Sequence, residues 1–455
     1  SRMRLHGAVR PRAFALWCLL AGPAGCDGPT PPAEPVPAHV VMLDVGQPFG
    51  RPGARAPLPV EAVVTGPDGR PLAGVPVRWR AWNGRIASGE TRTDSLGTVE
   101  ARFHLGAIAG PSIASVIVQG RDSAQVEFQV RDEPPDLIPL GLPLPISVPT
   151  ADGSGETVHP DYATTPFGMP DQLAITPYPR GKSNREWPSV FASLGGVDWG
   201  LAPGAPNPVV DAPAAGYLSD PDLLYHGGTG ELWLYYRWVN SENVILVKRS
   251  LDGVSWSDPD TVVRAANHRA VSPTVVRRRP DDWFMYVVNA GEQGCGATFT
   301  TVDLRRSSDG IHWSEPTPVA LDAGEWYPWH LDVQWVPELG QFWALYNAKG
   351  TGSCATPVLY LATSEDGLTW TRAPAPVLVR GAFPEFADVV YRSTFKYDRR
   401  RDEAWFWYSG ARFMRGRWVW STLQQRRTRR ELFAAPASVA AGPITVSRHR
   451  LNDWP

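Results

Sequence analysis

The sequence predicts an all-β chain in two parts, a β-sandwich followed by a five-bladed β-propeller, and three observations predict it. A serine returns every 57 residues, at Ser193, Ser250, Ser307, Ser364 and Ser421. With 43 glycines and 46 prolines, the chain favours turn-rich strands over long helices. Ahead of the repeats, residues 40 to 131 read as short alternating strands separated by turns such as Pro67-Asp68-Gly69. A fixed long period in an all-β pattern is the mark of propeller blades, so five copies predict five blades.

Three copies open the heptad Ser-x-Asp-Gly-x-x-Trp, at Ser250 to Trp256, Ser307 to Trp313 and Ser364 to Trp370. Ser193 to Trp199 keeps the serine, the second glycine and the tryptophan, whereas Ser421 to Arg427 keeps only the serine. The Asp-Gly pair makes a tight turn between outer strands, and the tryptophan buries itself between blades. Of 20 tryptophans, 16 lie between Trp187 and Trp420, where blade packing needs them. The heptad resembles the Asp-box of sialidases, a turn that diagnoses fold and does not locate chemistry.

Net charge is −2, which gives nucleic-acid binding no support, and nothing points to a cofactor or an oligomer. The first 26 residues combine Arg2, Arg4, Arg10 and Arg12 with the apolar run Ala13 to Ala21, the pattern of a secretory signal. Its end, Pro23-Ala24-Gly25-Cys26, resembles a bacterial lipoprotein processing site, which implies lipidation of Cys26 and an exported, envelope-anchored protein whose only membrane contact is that anchor. Residues 27 to 39 are a proline-rich tether. In the sandwich segment, Gly69 to Trp79, Thr93 to Gly97 and Leu105 to Gly110 resemble the invasin-type bacterial immunoglobulin-like domains, which implies a spacer. Residues 132 to 150 read as a second proline-rich linker and 151 to 455 as the propeller, with Ile444 to Ser447 expected to help close the ring. In an exported chain, Cys295 and Cys354 form the one cysteine pair of the folded body and are expected to be joined, in equivalent loops of blades three and four.

Counting back from each repeat serine reaches the start of an innermost strand: His159-Pro-Asp161, Asp220-Pro-Asp222, Ser272-Pro-Thr274, His330-Leu-Asp332 and Phe386-Ala-Asp388. Strand starts converge on one mouth of a propeller, and carboxylates gathered there push one another's pKa values apart, as acid/base chemistry requires. The loop Glu325 to His330 adds flat aromatic faces, Trp326 and Trp329, suited to sugar C–H surfaces. Two His-x-Asp pairs can be read as metal ligands or as supporting polar contacts, and the second is the expectation, with no permanent metal.

The run Ser219 to Tyr225, with Trp329 to Val333 and Glu385 to Val389, resembles the catalytic blades of the five-bladed glycoside hydrolases of families 43 and 32. That resemblance implies Asp222 as general base, Asp332 as the residue tuning the acid, and Glu385 as general acid. Asp161, Asp220, Trp326, Trp329, His330, Asp388 and Arg392 then become substrate contacts. The function expected is hydrolysis of a polysaccharide or oligosaccharide, and the alternative is a surface protein that binds carbohydrate without cleaving it.

Overall fold

In the computed structural model the described residues are 39–434, apart from 43–48, 51, 57–58, 119–121, 131–139, 142, 166–168 and 194–195. Cys26 and Ile444 to Ser447 lie outside them. The N-terminal part forms two four-stranded sheets, ordered His39–Met42, Val60–Thr65, Thr98–Leu105, Gly84–Gly89 and Phe49–Gly50, Asp122–Val130, Gly110–Val118, Val77–Trp82. Alternation dictates the arrangement: in Thr98–Leu105, Val99, Ala101, Phe103 and Leu105 are buried while the residues between them are partly exposed.

Five antiparallel sheets follow as blades, each a simple meander outward from its innermost strand. The innermost strands are Thr157–Ala163, Tyr217–His226, Val271–Arg279, Tyr327–Val336 and Val389–Asp398. Each touches the next, and the fifth touches the first, so the ring is closed. Among the described residues, the strand that completes the ring lies N-terminal to the blades. Leu144–Pro145, inside the segment read as a linker, pairs with the third strand of blade five, Arg417–Thr428, and so supplies that blade's outer strand. Past Thr428 the chain turns into the short helix Arg429–Leu432 through a capping box between Thr428 and Glu431, which leaves that edge to the N-terminal strand.

The Asp-Gly turns hold the blades' outer corners. In blade two, Asp252 Oδ1 accepts from the Val254 and Ser255 N–H groups at 2.8 and 2.7 Å, and Ser250 Oγ accepts from Gly253 at 2.8 Å. These backbone donors lower the Asp252 pKa to about 2. The glycine also lets the neighbouring blade approach: Tyr235 of blade two donates to Gly310 O at 3.0 Å, and Tyr286 of blade three to Gly367 O at 2.8 Å. Ser421 does not take part in this pattern. Ser250, Ser307 and Ser364 pair with Leu232, Trp283 and Phe342, and the matching partner in blade five, Ala404, pairs with Arg427. The second and third strands of blade five run 12 residues each, against 9 in blade two, and this displaces the true equivalent beyond the 57-residue step.

The inner ring is laced by a belt of hydrogen bonds running from blade to blade. Asp161 Oδ2 accepts from Leu223 N (2.6 Å), Asp222 Oδ2 from Val275 N (2.9 Å), and Thr274 Oγ1 from Val333 N (3.0 Å). Asp332 Oδ2 accepts from Thr394 Oγ1 (2.8 Å), and Thr394 Oγ1 accepts from Tyr162 N (3.1 Å), which completes the circle. Every bond is buried, so each acceptor satisfies a donor that would otherwise lack a partner. Thr274→Val removes one acceptor and strands the Val333 N–H, an expected loss of about 1–3 kcal/mol. Urea unfolding should show the lower midpoint, whereas an unchanged midpoint would mean that the belt does not bear on stability.

Candidate active site

Each innermost strand carries a bulge or register break just inside the mouth, and the residues there form two layers around the axis. The lower layer is the belt: Asp161, Asp222, Thr274, Asp332 and Thr394. The layer nearer the mouth holds the residues two positions earlier: His159, Asp220, Ser272, His330 and Arg392. His159, Asp220 and Ser272 adopt φ of 53°, 50° and 52°, a left-handed conformation that residues other than glycine rarely take.

Arg392 departs from its layer and reaches into the lower one. Its Nη2 lies 3.1 Å from Asp161 Oδ1 and 3.5 Å from Asp222 Oδ1, and it donates to Pro273 O. Burial pushes Asp161 well up, with repulsion from Asp222 and Asp332 adding to it and Arg392 opposing. Burial likewise raises Asp222, against the pull of Arg392, and raises Asp332.

The upper layer is a different electrostatic object. His159 Nε2 and His330 Nδ1 each lie 3.3 Å from Asp220 Oδ1, and Arg237 Nη1 is 3.2 Å from Asp220 Oδ2. Glu186 Oε2 stands 2.9 Å from His159 Nδ1 and accepts from Ser219 Oγ. Burial would raise Asp220, but Arg237 and then the two imidazoles outweigh it and hold the carboxyl well below its usual range. Burial lowers His159 and His330, so both rings are neutral and keep a lone pair at neutral pH. Tyr391 covers both imidazoles, with ring centroids 5.3 and 4.4 Å away. Trp329 Nε1 donates to the Tyr391 hydroxyl at 3.3 Å, and Tyr178 and Trp420 complete the wall.

Both layers have donor atoms close enough for a metal ion: His159, Asp220 and His330 above, Asp161, Asp222 and Asp332 below, each set within 4.8 Å. The upper set fits a cation far better. It offers two neutral imidazoles and one ionised carboxylate, and His330 Nε2 has no hydrogen-bond partner among the described residues. In the lower set a guanidinium already supplies the positive charge, and the carboxylates are engaged in the belt.

Of the residues singled out in the sequence, the structure brings together Asp161, Asp222, Asp332 and Arg392, and separately Asp220 with His330. The repeat count misplaces the fifth blade: Phe386-Ala-Asp388 is not the counterpart of the other triplets, because Thr394 pairs with Trp407 as Asp222 pairs with Tyr235. Asp388 is half-buried and accepts from Phe413 N at 2.7 Å. Glu385 sits in the turn Pro384–Phe386 with its side chain buried, ahead of the innermost strand. Trp326 is half-buried at the rim, against Gly350. Cys295 and Cys354 are joined in a disulfide between the loops that follow the second strands of blades three and four. Glu186, Tyr391 and Tyr178 were missed; Glu186 and Tyr178 come from a loop of blade one that has no counterpart in the repeat.

The fold and the two-layered axial site define a five-bladed β-propeller of the architecture found among carbohydrate-active enzymes. No family model matches the chain. An A type blood N-acetyl-alpha-D-galactosamine deacetylase of Flavonifractor plautii is 27% identical over 355 residues, which is 67% of this chain and 44% of that protein. The chain therefore spans less than half the length of that relative. A crystal structure of an N-acetylgalactosamine deacetylase from F. plautii, in complex with blood group B trisaccharide, aligns with a TM-score of 0.55 at 25% identity, covering 60% of this chain and 90% of that one. A Penicillium chrysogenum alpha-L-arabinanase aligns with a TM-score of 0.41 at 16% identity, covering 63% and 98%.

Removing Arg392 should expose the lower carboxylates to one another. Arg392→Met is expected to cost about 3–5 kcal/mol, because it leaves buried charge uncompensated. The loss should be larger at pH 8 than at pH 5. A carboxyl whose folded pKa is raised binds protons in the native state more readily than in the unfolded chain, so its contribution is present at low pH and falls as pH rises through the folded value. Urea titrations at both pH values check this, and an equal loss at both would contradict the charge balance.

Proposed function

We propose that the chain is a carbohydrate-active hydrolase that removes an N-acyl group from an amino sugar, working at the upper layer of the axial site. The observation that carries this reading is the buried constellation of His159, Asp220 and His330, steadied by Glu186 and Arg237, in a chain similar to a sugar deacetylase. His159, Asp220 and His330 would hold a divalent cation, whose Lewis-acid charge favours attack of water on an amide carbonyl. Glu186 fixes the ring of His159, in the manner of carboxylates behind ligating histidines. Arg237 keeps Asp220 ionised, and Tyr391, Trp329 and Trp420 exclude bulk water from the rings.

Glycoside hydrolysis by Asp222, Asp332 and Glu385 is the second reading, and the observation in its favour is the raised carboxylates beneath the same mouth. We further propose that the protein is exported and lipid-anchored through Cys26, with its N-terminal sheets as an immunoglobulin-like spacer. Protein expressed in a bacterium should then partition into detergent, and Cys26→Ser should release it into the aqueous phase. A wild type recovered in the aqueous phase would refute the anchor.

Acetate release from N-acetylgalactosamine glycosides tests the function. Dialysis against a chelator should abolish release and a divalent cation should restore it. Glu186→Gln should lower the rate about 10–100-fold, and His330→Ala should lower it further. Liberated sugar that retains its acetyl group, with sensitivity to Asp222→Asn and Glu385→Gln and indifference to His330→Ala, would establish the second reading in its place.

A further inference from the structure

Beside the upper layer, between blades two and three, opens a cleft of about 560 Å³ lined by Ala215, Gly216, Tyr217, Val239, Asn240, Ser241, Asn267 and His268. Its lining holds no carboxylate and no lysine or arginine. It offers two amides, two hydroxyls and an imidazole around one aromatic ring, the mixture that suits vicinal sugar hydroxyls and a C–H face. Asn240 Oδ1 accepts from Glu242 N at 2.9 Å, and Asn267 Oδ1 from Asn243 Nδ2 at 3.1 Å, which leaves both outer amide groups as donors.

The cleft is linked to the reacting centre through one chain of side chains. Tyr217 opens the innermost strand that carries Asp220 three residues later, and its hydroxyl hydrogen-bonds Arg237, whose other arm meets Asp220. Arg237 is 5% exposed, and its Nε has no hydrogen-bond partner among the described residues. Gly216 allows the wall to be thin: a Cβ there would meet Val239 O at 1.9 Å. His268, at φ 57°, is held by packing on Gly294 in the loop that the Cys295–Cys354 disulfide braces.

We propose that this cleft is a subsite for a neutral sugar unit linked to the one that presents the N-acyl group, so that the substrate is a glycan chain and not a free amino sugar. The inference rests on the deacetylation reading for its chemistry but not for its binding test. Ser241 is exposed on the loop between the second and third strands of blade two, so Ser241→Trp fills the cleft without entering the core. Isothermal titration with blood group B trisaccharide, and then with galactose alone, reads the subsite without any turnover. The wild type should bind the trisaccharide at least about tenfold more tightly than galactose, and Ser241→Trp and Asn267→Ala should erase the difference. Acetate release should follow the same pattern: kcat/KM should be higher for an N-acetylgalactosamine-terminated trisaccharide than for methyl N-acetylgalactosaminide, and Ser241→Trp should lower only the former. Equal affinity for trisaccharide and monosaccharide in the wild type, or an unchanged preference in Ser241→Trp, overturns the subsite. A preserved binding preference with no acetate released would sink the deacetylation reading and leave the subsite standing.

Discussion

The hydrogen-bond belt around the axis is the constraint on which the rest of the structure depends. A propeller must join five sheets at the place where they have the least room, and strand-to-strand ladders stop at each sheet's inner edge. Here the inner edges are joined by side chains: every blade gives one oxygen, from Asp161, Asp222, Thr274, Asp332 or Thr394, to a donor of the next blade. In four blades the strand breaks register just before that oxygen, which sets the residue two positions earlier toward the mouth, and in blade four the break comes earlier, between Pro328 and His330. Placing chemistry above and architecture below therefore goes with a register break that every innermost strand carries.

Much of this was legible in the sequence, and the parts that were not share a physical reason. The Asp-Gly heptads are local motifs, whose turn and tryptophan need only seven residues, so blades two, three and four could be read directly. The paired triplets Asp220-Pro-Asp222 and His330-Leu-Asp332 end 28 and 32 residues ahead of Ser250 and Ser364, near enough for the two blades to be read against each other. Blade five broke the ruler: its longer hairpin put Arg427 at the repeat position while a serine happened to fall at the 57-residue step. Counting back from that serine lands on Asp388 where the chain places Thr394, and Arg392, expected to contact substrate, is the counter-ion of the lower layer.

Other features had no periodic signal to carry them. The strand that closes the ring is two residues long, in a stretch whose prolines argued for a linker, and its role is set by the edge it finds on blade five. Glu186 reaches the site from a loop after Tyr178 that only blade one possesses, and Tyr391 sits one residue before Arg392, a position that carries a different residue type in every other blade. Repeats make a fold predictable, and the departures from the repeat make its site specific.

The two arginines show how one fold keeps seven ionisable groups, all buried, around one axis. Arg392 enters the floor from the innermost strand of blade five and faces three carboxylates, more negative charge than one guanidinium can balance, so burial wins and the carboxyl pKa values rise. Arg237 approaches the upper layer from the second strand of blade two and faces chiefly Asp220, whose other neighbours are neutral imidazoles, so there attraction wins and the carboxyl stays ionised. The same residue type, buried in both layers, thus faces carboxyls with opposite protonation tendencies because the count of neighbours differs. A floor whose carboxyl pKa values are raised carries less charge while its oxygens still accept the belt's hydrogen bonds; an ionised carboxylate between two imidazole lone pairs attracts a cation, which suits a site. Moving Arg237 down or Arg392 up would reverse the two tendencies, so the division between structural floor and chemical mouth is fixed by where two guanidinium groups enter the ring.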